Sequence, residues 1–143
     1  MKKWVLLLVM MLVTFGSVAE NDLDLYDNHG NAVFYIALDD DLTIYSWDGD
    51  PTAYLKIGGN GVYDVYGFNG NHLGWFKQGK LIDHDGYVSC AVKELVMSPN
   101  LPPLKSLKSL KSLKSLPELP PLQPLFINSF GNTNCSLLLS SGS

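Results

Sequence analysis

Val65-Tyr66-Gly67-Phe68-Asn69-Gly70-Asn71-His72-Leu73-Gly74-Trp75-Phe76 is the stretch on which the fold turns. Asn69-Gly70 separates two short apolar and aromatic runs, and both residue types tolerate the positive φ of a tight hairpin turn. The stretch therefore predicts one β-hairpin. Three relatives of it lie in the same chain: Leu25-Tyr26-Asp27-Asn28-His29-Gly30, Ile44-Tyr45-Ser46-Trp47-Asp48-Gly49 and Leu81-Ile82-Asp83-His84-Asp85-Gly86. Gly30, Gly49, Gly70 and Gly86 stand 19, 21 and 16 residues apart, each preceded by Asp, Asn or His. Five and six residues after these glycines come Tyr35-Ile36, Tyr54-Leu55, Trp75-Phe76 and Ala91-Val92, so the fourth repeat lacks the aromatics of the others. The connecting segments Asp39-Asp40-Asp41, Gly58-Gly59-Asn60-Gly61 and Gln78-Gly79 are polar or glycine-rich, as turns between hairpins are.

A single two-stranded hairpin is marginal in water, so the four must bury their aromatic faces against one another. Closure around a central axis also leaves few strand edges exposed. The expected fold is all-β: four sequential hairpins arranged as a four-petalled flower over residues 20–95. On the repeated Tyr-x-x-(Asn/Asp)-Gly hairpins, and on the leucine-lysine-proline tail that follows them, the chain resembles the bacterial four-fold β flower domain proteins across residues 25 to about 125. The resemblance implies a four-petalled architecture and carries over no catalytic residues. The chain departs from that family in using serine where proline is common in the tail, and in carrying an export signal.

That signal is read over residues 1–19. Lys2 and Lys3 precede a run from Trp4 to Phe15 that is apolar apart from Thr14, and Gly16-Ser17-Val18-Ala19 supplies the small residues of a cleavage site. A spanning helix needs about 20 apolar residues, and no later segment supplies them, so no transmembrane span is expected in the mature chain. The mature protein should begin at Glu20 and be periplasmic or secreted. In an oxidising compartment Cys90 and Cys135 can form a disulfide that ties the tail to the domain, although two buried thiols fit the sequence as well. Residues 20–95 carry four lysines against thirteen acids, a net of −9; residues 96–143 carry four lysines and one glutamate, a net of +3. The two parts attract each other. The chain has no arginine, the residue of bidentate phosphate and base recognition, so no nucleic-acid partner is expected.

The tail, residues 96–143, repeats every third residue. Leucine recurs at Leu101, Leu104, Leu107, Leu110, Leu113, Leu116, Leu119, Leu122 and Leu125, and Lys105, Lys108, Lys111 and Lys114 follow four of them. An α-helix smears such a pattern around its axis, whereas polyproline II has three residues per turn and keeps the leucines in line. Pro102, Pro103, Pro117, Pro120, Pro121 and Pro124 flank the stretch, while the proline-free run 104–116 leaves a helix as the alternative. Nine leucines in water form a larger apolar strip than soluble monomers tolerate, so the strip is expected to be covered by the tail's own domain, a partner, another copy or a membrane. Leucine burial alone nearly cancels against ordering entropy, which makes docking on the chain's own domain weak.

The chemistry-bearing residues are few. His29, His72 and His84 fall near turns, where histidine is usually solvated, and no metal site is assigned. Asp83-His84-Asp85-Gly86 and Asp48-Gly49-Asp50 are fragments of calcium loops without the distal glutamate, and Asp39, Asp40 and Asp41 read as a solvated run rather than a catalytic pair. No nucleophile elbow, phosphate loop or paired CxxC occurs, so neither enzyme activity nor a cofactor is expected. The reading is a structural or interaction module that presents the Leu/Lys tail to a protein partner, to itself or to the envelope. The alternative is a cell-surface glycan- or choline-binding module that stacks its ligand on Tyr45, Trp47, Tyr66, Phe68 and Trp75. Exposure of those rings discriminates the two, since as a core between petals they would be buried.

Overall fold

The computed structural model describes residues 21–143, so the export signal lies outside the described residues. Eight strands run in chain order: β1 (Asp22–Tyr26), β2 (Ala32–Ala37), β3 (Thr43–Ser46), β4 (Pro51–Ile57), β5 (Tyr63–Gly67), β6 (His72–Lys77), β7 (Lys80–Ile82) and β8 (Val88–Val92). Each pairs antiparallel with the next, and β8 closes on β1 through Leu25↔Val92 and Tyr26↔Ala91. Four sequential hairpins thus form a closed barrel, in keeping with the all-β expectation. Their turns carry Gly30, Gly49, Gly70 and Gly86 at φ of 81°, 89°, 90° and 91°. Because consecutive hairpins run in the same sense, all four turns lie at one end of the barrel.

A register shift falls at the same place in every repeat: Leu25/Tyr26, Ile44/Tyr45, Val65/Tyr66 and Leu81/Ile82. A bulge of this kind inserts one residue and re-aims the side chains beyond it. Leu25, Ile44, Val65 and Leu81 are wholly buried in the barrel core with Ile36, Ala53 and Cys90. The residue after each shift instead packs between petals. Tyr45 opposes Tyr35, Tyr66 opposes Tyr54, Ile82 opposes Trp75 and Tyr26 opposes Ala91. The interior and the seams between petals therefore draw on alternate residues of the same strands.

The barrel core is completed from the far end of the chain. Helix α1 (Cys135–Ser140) is capped by Asn134, whose side chain accepts from the Leu137 N–H at 2.9 Å. It sends Cys135, Leu138 and Leu139 into the same core cluster as the strands. A Cys90–Cys135 disulfide joins it to β8, with Cα atoms 5.7 Å apart. At the other end of α1 the Asn69 N–H donates to the Gly142 carbonyl, so the helix spans from petal four to petal three. No described helix is long and apolar enough to cross a membrane.

Candidate functional site: a belt over the petals

Between the strands and α1, residues 101–127 form neither helix nor strand, which removes the helical alternative for 104–116. The segment is a belt that passes the four hairpin turns in order. The N–H of Asn100 donates to Gly30 O at 2.8 Å, Ser109 to Gly49 O at 2.9 Å, Glu118 to Gly70 O at 2.9 Å and Ile127 to Gly86 O at 2.8 Å. These donors stand nine residues apart. The carbonyl groups of Ser98, Leu107, Leu116 and Leu125, nine apart again, lie directly on the same four glycines. A second bond repeats with the same period: Ser106 N–H to Trp47 O at 3.1 Å and Ser115 N–H to Phe68 O at 2.8 Å. Nine residues further on stands Pro124, which has no N–H to offer His84. Each span from petal to petal thus takes three leucine triplets of chain.

The leucine side chains take no part in this docking. Leu101, Leu104, Leu107, Leu110, Leu113, Leu116, Leu119, Leu122 and Leu125 are 84–97% exposed. Of the coverings expected for the strip, the tail's own domain is not one, because the belt docks through its other edge. Its lysines turn inward. Lys105 Nζ sits 4.4 Å from the centre of the Tyr35 ring and 5.0 Å from that of Trp47, and Lys114 Nζ sits 4.1 Å from that of Tyr54. Lys108 lies 5.1 Å from the Tyr45 ring. Lys105 also pairs with Asp22 at 3.0 Å and Asp24 at 2.7 Å, and Lys111 with Asp40 at 2.6 Å. Cation–π contacts are worth about 0.5–2 kcal/mol each, and repeated backbone bonds about 1 kcal/mol each. Docking therefore needs no leucine burial, which is why entropy weighed against leucine area misjudges it.

Titration follows from this geometry. Burial lowers the Lys105 affinity for its proton, but bonds to Asp24 and Asp22 outweigh it and leave the ammonium harder to deprotonate than usual. Bonds from Lys111 and Tyr45 hold Asp40 below the ordinary carboxylate value. Burial, then the bond to Asp40, drives the Tyr45 hydroxyl well above its usual range.

The five aromatics named from sequence divide between two belt spans and a third. Tyr45 stacks on Tyr35 at 5.6 Å with Trp47 edge-on to Tyr35, and Tyr66 stacks on Tyr54 at 6.0 Å with Phe68 beside it. Trp75 packs with Phe126, His72 and His84 in the third. Tyr45, Tyr66, Phe68 and Trp75 are buried and Trp47 is partly so, its indole N–H donating to Pro103 O at 2.9 Å. They do not form an open stacking cleft. His72 departs from the solvated position expected near a turn: it is buried, its Nε2 2.9 Å from Asp64 and its Nδ1 2.9 Å from His84 Nε2. Its backbone N–H donates to Glu118 of the belt at 2.7 Å.

Residues 23–139 match the family described as 4-fold beta flower protein, a span that takes in all four hairpins, the whole belt and most of α1. The chain belongs to that family. Neither a curated protein nor a solved structure matches it. In this flower the belt and helix lie within the family's own span, so the tail is part of what the family match describes.

Proposed function

We propose that this flower is an exported, non-enzymatic interaction module whose belt displays a fixed leucine comb, and that the comb engages other copies of the chain. The observation that carries the reading is the one-sidedness of the belt: nine leucines stay 84–97% exposed while the lysines between them are held inward. The backbone beneath the comb is already bonded to the petals, so association adds little ordering cost.

A second copy fits by spacing. Triplets at polyproline II rise put neighbouring leucines about 9 Å apart, which leaves a slot for one leucine of an identical comb. Lys105 and Lys111, which would draw a comb to an anionic lipid surface, are instead paired with aspartates. Half-covering three leucines from each of two copies contributes about 6 kcal/mol, against an association cost of about 4–15 kcal/mol. One span is therefore a weak contact, and three spans on one molecule favour growth over a discrete dimer. Glycan or choline binding by the hairpin aromatics is the weaker reading, since the chain's own lysines stand over Trp47 and Tyr45 and the rings of Tyr66, Phe68 and Trp75 are buried.

Sedimentation and light scattering on the chain from Glu20, beside a Leu110→Ser/Leu113→Ser/Leu116→Ser variant, test the proposal. The expected result is a mass that rises with concentration and is lost in the variant at unchanged circular dichroism. A concentration-independent monomer would overturn it, and so would a monomer that floats with lipid vesicles, which would make the envelope the occupant.

A further inference from the structure

The belt crosses three of the four seams between petals. The fourth, between β8 and β1, is where the belt begins and ends, and it holds a cleft of about 580 Å³. The reason is a single position in the repeat. At the place of Tyr35, Tyr54 and Trp75 the fourth petal has Ala91, and at the place of Trp47, Phe68 and His84 the first petal has Asn28. Both Ala91 and Asn28 line the cleft. Three seams are filled by rings; this one is left open by a methyl group.

The apolar walls are Val88, Leu95, Val96, Met97 and Phe130, and Met97 is 91% exposed. Lys80 is the one charged residue lining it among the described residues. Its ammonium is hydrogen-bonded to Asn128 Oδ1, which fixes it at the mouth and leaves two further N–H donors. The electrostatics are the reverse of the first two seams, where tyrosine faces receive a cation; here the wall itself supplies the cation and no tyrosine pair faces it. Clefts of this size with apolar walls and a few convergent polar groups are the usual form of small-ligand sites.

We propose that the seam between β8 and β1 binds an amphipathic anion, with a hydrocarbon body against Val88, Ala91, Met97 and Phe130 and an acidic head group on Lys80. The site stands independently of the leucine comb. Octanoate, with octanol as its uncharged counterpart, is titrated into the mature chain and followed by amide shifts in NMR. Saturable octanoate binding is expected at β8 and at residues 95–97 and 128–130. Lys80→Gln should weaken octanoate roughly tenfold, the worth of one charge-assisted hydrogen bond at a wet rim, and leave octanol unchanged. Ala91→Trp, which restores the ring of the other seams, should abolish binding of both, with Ala91→Leu as a milder filling that weakens both if the tryptophan impairs folding. The Leu110→Ser/Leu113→Ser/Leu116→Ser variant should bind as the parent does. Shifts confined to the leucine comb, indifference to filling at Ala91, or equal effects of Lys80→Gln on octanoate and octanol would each overturn the proposal.

Discussion

Replacing Gly49 with alanine separates backbone strain from belt docking. Gly49 has φ +89°, and an added Cβ would overlap the Leu107 carbonyl oxygen and lie 2.8 Å from its carbon. Both obstacles are backbone, so neither can swing aside. Gly61 is the matched control, with φ +74° and nothing within 4 Å of an added Cβ. Positive φ in a residue with a side chain costs about 1–3 kcal/mol at either site. At Gly49 the belt must also lift, which releases the Ser109 bond to Gly49 O and strains the Ser106 bond to Trp47 O. Two such bonds add about 1–3 kcal/mol. Gly49→Ala is therefore expected to lose about 2–6 kcal/mol and Gly61→Ala about 1–3 kcal/mol, read from urea unfolding midpoints. Hydrogen exchange gives the local readout, because the Ser106 and Ser109 amides should lose protection in Gly49→Ala alone. Equal losses in the two variants, with Ser109 still protected in both, would refute the docking of the belt on the turn.

Removing the disulfide with Cys90→Ser/Cys135→Ser opens a loop that spans 45 residues and contains the whole belt; chain entropy sets the loss at up to about 4 kcal/mol, and a thermal midpoint unchanged by the double substitution would contradict that. Acid should weaken the fold in two windows. His72 is held below its ordinary value of 6.5 mainly by burial, against the pull of Asp64, so the unfolded chain takes up the proton first and stability falls as pH drops below about 6.5. Asp40 is held below its ordinary 3.8 chiefly by its bond from Lys111, so its contribution is present above that pH and disappears as pH falls further. Unfolding midpoints across acid pH check both: His72→Gln should flatten the upper window and Asp40→Asn the lower, and a level midpoint between about pH 7 and 5 in the parent would contradict the role of His72.

The hairpins were legible because asparagine-glycine and aspartate-glycine chemistry is local, and a turn such as Asn69-Gly70 needs no partner to be recognised. The belt was only half legible. Its period of three is written in the leucines, but the docking period of nine rests on Asn100, Ser109, Glu118 and Ile127, which share no side-chain chemistry because each acts through its backbone N–H. Which edge of the belt meets the petals was not legible for the same reason: leucine area is visible in a sequence, whereas a carbonyl resting on a distant glycine is not. Helix α1 gave no sequence signal, since six residues are too few for a period and its fit depends on the space inside a closed barrel. His72 reads as a turn residue until the belt and Asp64 converge on it.

The nine-residue step of the belt also makes it a ruler. Leu104 to Ser115 is the same Leu-Lys-Ser triplet four times over, so that stretch looks alike to the petals after sliding by three residues. Its phase must come from its flanks. Asn100 reaches the Asn31 side chain at 2.8 Å, and Glu118 receives the His72 N–H, so two unrepeated residues pin the ends of a measure two petals long. The repetitive middle can vary in composition without losing its place. A gain or loss of one triplet would leave every local contact type available and still set the two pins out of step, so the length of this stretch is constrained more tightly than its letters.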